Sequence, residues 1–129
     1  MSKIPLAVEA WIRKAENDSK NIRATLASAD PAWDTVCFHA QQAAEKYLKA
    51  YLVFQGDIPP RTHDLVLLLR LARDFDPTLD AQRNDCDLIT HFAVDARYPT
   101  VVEPDEAVAR SAVAAAERIR TAIRQRLPQ

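Results

Sequence analysis

The chain has 129 residues and a formal net charge of −1, which suits one domain with one core and does not mark a nucleic-acid binder by bulk charge. Apolar residues make up 48% of the chain and there is a single glycine, which excludes a disordered chain and argues against a β-rich fold. No apolar run reaches the roughly 18 residues of a membrane span, and the N-terminus lacks a signal-peptide core, so a soluble, cytoplasmic protein with no membrane association is expected.

Prolines and small polar residues divide the chain. A first helix is expected from about Pro5 to Ala27, with Trp11, Ala15, Ile22 and Leu26 on one side and Asp18 interrupting them. Asp30 reads as the cap of the second helix and Pro31 as its first residue; the helix runs to about Gln55 and stops at Gly56. After the rigid connector GDIPPRTH, a shorter third helix follows Thr62 or His63, with Leu65, Leu68, Leu69 and Ala72 as its stripe. DFDPTLD ends it, and Pro77 opens a fourth helix to about Asp95. ARYPTVVEP is an extended loop. Pro104 starts the last helix, with Asp105 and Glu106 against its N-terminal dipole and Val108, Ala112, Ala115, Ile119 and Ala122 as its buried stripe. The pattern predicts an all-α fold, a single domain over residues 1–129 arranged as an up-and-down bundle of four or five helices. Cys37 and Cys86 sit inside helical patterns and read as buried apolar residues; no ligand spacing points to a metal, and no cofactor is implied.

The second helix carries more than one apolar side. At about 100° per residue, Trp33, Val36, Ala40, Ala43, Ala44, Ala50, Tyr51 and Phe54 cluster around Tyr47 as a core face. Gln41, Gln42, Glu45 and Lys49 fall on the far side, read as solvated, yet Phe38 lies among them and Leu52 and Val53 border them. Phe38, Gln42, Leu52 and Val53 are therefore assigned to an interface, most simply that of a homodimer.

FHAQQAAEKYLKAYLV, PRTHDLVLLL and ARYP, in this order and at these distances, resemble the HEPN domain (higher eukaryotes and prokaryotes nucleotide-binding). The elements that carry the resemblance are Gln42-x2-Glu45-Lys46-x2-Lys49, then His63-Asp64-Leu65, then Arg97-Tyr98-Pro99. The resemblance implies a helical bundle, commonly a homodimer. It is closest to small stand-alone prokaryotic members, often encoded beside a minimal nucleotidyltransferase in pairs that resemble toxin–antitoxin modules. Many toxin members are metal-independent RNases whose motif is an Arg, four to six residues, then a His. In that chemistry His moves a proton at the ribose 2′-hydroxyl or the leaving oxygen, and Arg steadies the phosphate.

The motif is not matched. The nearest candidate is Arg83 before His91, with seven residues between them. On one continuous helix the two would be about 80° apart around the axis and on the order of 12 Å apart along it. His63 reads either as part of the start of the third helix or, with Arg61, as a phosphate contact at that helix N-terminus. Arg97 reads either as a phosphate-binding fork or as the ion-pair partner of a helix acid. The first functional reading is a nucleotide- or RNA-binding module, partner of a minimal nucleotidyltransferase, with Lys46, Lys49, Arg61, His63 and Arg97 as phosphate contacts and Tyr98 as a stacking surface. The second is an RNase toxin using Arg83 and His91 across the dimer. The third is a non-catalytic dimer that docks another protein through Phe38, Leu52 and Val53.

Overall fold

The computed structural model of the protein describes residues 4–95, 97–99 and 102–128. Those residues form α1 (Leu6–Leu26), α2 (Trp33–Phe54), α3 (Leu65–Arg73), a 3-10 segment (Pro77–Gln82), α4 (Arg83–Ile89), α5 (Phe92–Asp95) and α6 (Glu106–Arg124), with no strand among them. The all-α expectation holds.

Central to the fold is α2, which touches α1, α3, α4, α5 and α6. Glu16 meets Tyr47, Asp18 meets Lys46, and Trp11 meets Lys49, so α1 and α2 run antiparallel. Arg110 lies over the Trp33 ring and Arg120 over the Tyr47 ring, so α6 returns alongside α2 in the same direction. The long connection through α3, α4 and α5 makes that return possible, and it covers the rest of α2.

Local chemistry explains most boundaries. Helix α2 ends in a Schellman motif: the Asp57 amide donates to the Leu52 carbonyl and the Gly56 amide to that of Val53, with Gly56 at φ +84°. Only glycine adopts that conformation without strain. The Asp64 carboxylate accepts from the amides of Val66 and Leu67, capping α3, and Asp105 caps α6 by accepting from Val108. At the start of α2 the expectation fails. The helix begins at Trp33 behind Ala32, with no side-chain cap, and Asp30 and Pro31 lie outside it.

The expected fourth helix is also interrupted. A 3-10 segment precedes α4, and α4 stops at Ile89; the Thr90 hydroxyl beyond it accepts from the Leu65 amide at the start of α3. The expected loop ARYPTVVEP is described only at Arg97–Pro99 and from Val102 onward; Ala96, Thr100 and Val101 lie outside the described residues.

Cys37 and Cys86 are both buried free thiols. Burial, with Asp34 adding, pushes the Cys37 thiol up to about 11. Burial, with nearby carboxylates adding, pushes that of Cys86 up to about 12. Both stay protonated and unreactive at neutral pH. No helix among the described residues is long and apolar enough to cross a membrane.

Candidate functional site

The polar side of α2, expected to face water, is mostly enclosed. Gln41, Glu45 and Lys49 are all buried. His63 Nδ1 donates to Glu45 Oε1 at 2.8 Å, and Lys49 Nζ donates to Glu45 Oε2 at 3.1 Å. Gln41 Nε2 donates to the His63 carbonyl at 2.7 Å, and Gln42 Nε2 donates to Gln41 Oε1 at 2.8 Å. Lys49 Nζ also lies 5.5 Å from the Trp11 ring centroid, a cation–π distance. The carboxylate of Glu45 thus ties the connector before α3 onto α2. Lys46 donates to Asp18 Oδ2 at 2.6 Å, and Asp18, itself buried, also accepts from His39 Nδ1 at 2.8 Å.

These contacts revise the phosphate-binding set. Lys46 and Lys49 are committed to carboxylates of their own chain, as is the Nδ1 of His63. Of the three, the Lys49–Glu45 pair is buried on both sides and resists disruption most, because an abandoned charge there has no solvent. Arg61 is exposed on the connector. The reading of PRTHDL as a helix start is the one the geometry carries, with Asp64 as the cap.

The interface set changes as well. Leu52 is fully buried in the core, and Val53 packs against that core. Neither is a free apolar surface, because α2 is surrounded by its own chain. Phe38 is partly covered, its ring edge-on to His39 at 5.4 Å, and Gln42 is partly covered within the Gln41–Glu45 network.

Arg97 and Tyr98 come together elsewhere, with His91. They line a cavity of about 690 Å³ between the start of α2, α5, the segment before α6 and the first turn of α6. Its other walls are Phe92, Pro99, Val102, Pro104 and Val108 on the apolar side and Asp34, Asp95, Glu103 and Asp105 on the acidic side. His91 Nε2 is 3.6 Å from Asp95 Oδ2, one helical turn on, and its ring lies 4.2 Å from that of Phe92. Arg97 has no ion pair among the described residues. Tyr98 is exposed and lines the cavity. Val108, expected in the buried stripe of α6, is instead 43% exposed and forms part of this wall.

Arg83 does not join them. It is exposed at the first turn of α4 and does not line the cavity, and the helix break after Ile89 removes the continuous axis on which it was aligned with His91. Sequence reasoning missed the acidic wall. Asp95 was legible as the residue one turn after His91, and Glu103 and Asp105 lie in the same run as Arg97. Asp34 is distant in sequence and gave no signal.

A third polar cluster links α1, α2 and α6. Arg120 donates to Glu16 through Nε at 3.1 Å and through a terminal nitrogen at 2.9 Å, and Nε also reaches the Tyr47 hydroxyl at 3.2 Å. Tyr47 in turn donates to Glu16. Burial, together with the Glu16 hydrogen bond, raises the Tyr47 phenol well above its ordinary range, so it remains a donor.

The fold and cavity define a small helical-bundle protein with a half-open pocket beside its shortest helix. The HEPN domain family matches residues 8–126, and the chain belongs to that family. The structure is similar to that of TT1696 from Thermus thermophilus, with a TM-score of 0.76 and 20% identity over 93% of this chain and 98% of that one. It is also similar to ST0689, an archaeal HEPN homologue, with a TM-score of 0.70 and 28% identity over 92% of this chain and 96% of the other. Comparison with curated proteins finds no match.

Proposed function

We propose that the protein is a nucleotide- or RNA-binding HEPN module and the partner of a minimal nucleotidyltransferase in a toxin–antitoxin-like pair. The observation that supports ligand binding is the cavity in which Arg97, Tyr98 and His91 meet, at a volume within the range typical of small-molecule sites. Arg97 is the anion contact, Tyr98 the stacking surface and the apolar walls the seat for a base. The test is calorimetric titration with nucleosides, nucleotides and short RNA. Binding to the wild type that weakens in Arg97→Ala for phosphorylated ligands and in Tyr98→Ala for all of them is expected; binding unchanged by both substitutions would remove the cavity from the reading. Co-expression with the nucleotidyltransferase should yield a complex on size exclusion, and separate elution would refute the pairing.

The RNase reading keeps one favourable observation: His91, a side chain able to act as general acid or base, shares the cavity with Arg97. Arg97, rather than Arg83, is then the arginine placed to steady a phosphate. Cleavage of RNA in chelator by the wild type, abolished by His91→Ala and untouched by Arg83→Ala, is the signature of that reading; no cleavage by the wild type removes it. Homodimerisation rests on family resemblance, and sedimentation of wild type against Phe38→Asp tests the surface assigned from the helix pattern.

A further inference from the structure

We infer that the cavity selects a nucleoside or nucleoside monophosphate over a nucleoside polyphosphate; this deepens the nucleotide reading above and rests on it. Four carboxylates line the cavity, those of Asp34, Asp95, Glu103 and Asp105, against one guanidinium, that of Arg97. The residues of that segment outside the described set, Ala96, Thr100 and Val101, carry no charge. Neither Lys46 nor Lys49 lines the cavity: they lie roughly 18–22 Å along α2 from Asp34, where Asp18 and Glu45 hold them.

An ionised carboxylate only accepts hydrogen bonds. One Asp105 oxygen is used by the Val108 amide and one Asp34 oxygen by the Thr35 amide, while no hydrogen bond is made by Glu103 among the described residues. The wall therefore presents acceptors, and a matching ligand presents donors. A ribose diol and an exocyclic amine are such donors; phosphate oxygens are not. Arg97 provides one bidentate anion contact, enough for one phosphate group. Each further phosphate adds negative charge beside carboxylates in a partly enclosed space where water screens poorly.

Calorimetric titration of the full chain with adenosine, adenosine monophosphate and adenosine triphosphate, in chelator and again in magnesium, tests this. The monophosphate is expected to bind at least about tenfold more tightly than the triphosphate in both conditions. Combined Glu103→Gln and Asp95→Asn should narrow that ratio, and Arg97→Ala should bring the monophosphate down to the level of the nucleoside. A triphosphate that matches or exceeds the monophosphate in either condition overturns the selectivity while leaving the nucleotide reading intact. Failure of all three ligands to bind overturns the selectivity and the seating of an adenine nucleotide in this cavity together.

Discussion

Lys49 and Glu16 show how the same residue types act differently according to what surrounds them. The Lys49–Glu45 spacing on an exposed helix contributes only a few tenths of a kcal/mol. Here both partners are buried, and Glu45 also receives His63. Lys49→Ala removes one of two partners of a buried carboxylate that His63 still holds, so it is expected to cost about 1–3 kcal/mol of folding stability, read by urea denaturation; a loss well below about 1 kcal/mol would mean the pair is effectively solvated. Glu16 is partly exposed. The hydrogen bond from Arg120 holds its carboxyl below its ordinary value of 4.5, with burial opposing and Tyr47 assisting. A lowered folded-state pKa means that the folded protein binds this proton more weakly than the unfolded chain does. The associated stability is then complete above the ordinary value and is lost as pH falls through the lower folded one. Glu16→Gln should cost about 1 kcal/mol at neutral pH, discounted for exposure, and the gap from wild type should close as urea titrations are repeated from about pH 5 to pH 3.

At the scale of elements, caps and packing set the boundaries that matter. Asp64 accepts from two amides at the start of α3, so Asp64→Ala should cost about 1 kcal/mol. The same change would loosen the connector that carries His63, visible as faster amide exchange at Val66 and Leu67. Leu52 separates a core role from an interface role. As a fully buried side chain, Leu52→Ala should lower the stability of the protein by about 2–5 kcal/mol at any protein concentration. A loss that appears only at concentrations where a dimer forms would return Leu52 to an interface.

Across the whole molecule, the cavity joins parts of the chain that are far apart in sequence: the start of α2, α5 and the first turn of α6. A ligand seated there holds these parts together and, binding only the folded state, shifts unfolding by mass action. At a hundred times its dissociation constant, adenosine monophosphate should stabilise the protein by about 2.7 kcal/mol. In a thermal scan this registers as a rise in Tm that Arg97→Ala reduces to the rise adenosine gives. An unchanged Tm at saturating ligand would argue that the cavity is not the binding site.

Helical class, the Gly56 stop, the α3 stripe and the burial of both cysteines were legible in the sequence because each is set by near-neighbours: a 3.6-residue period, a turn that needs positive φ, an acid at a helix start. The HEPN resemblance was legible for the same reason, since its motifs are short runs at regular spacing. Contacts between elements were not. Period alone cannot say whether a polar face meets water or another segment, so Gln41, Glu45 and Lys49 read as solvated, whereas the connector carrying His63 closes over them. Nor could it say that α2, wrapped by its own chain, would bury Leu52. The cavity itself, with Asp34 facing a segment some sixty residues onward, exists only once α6 has returned beside α2; that juxtaposition is a property of the packed chain, because no local interaction specifies it.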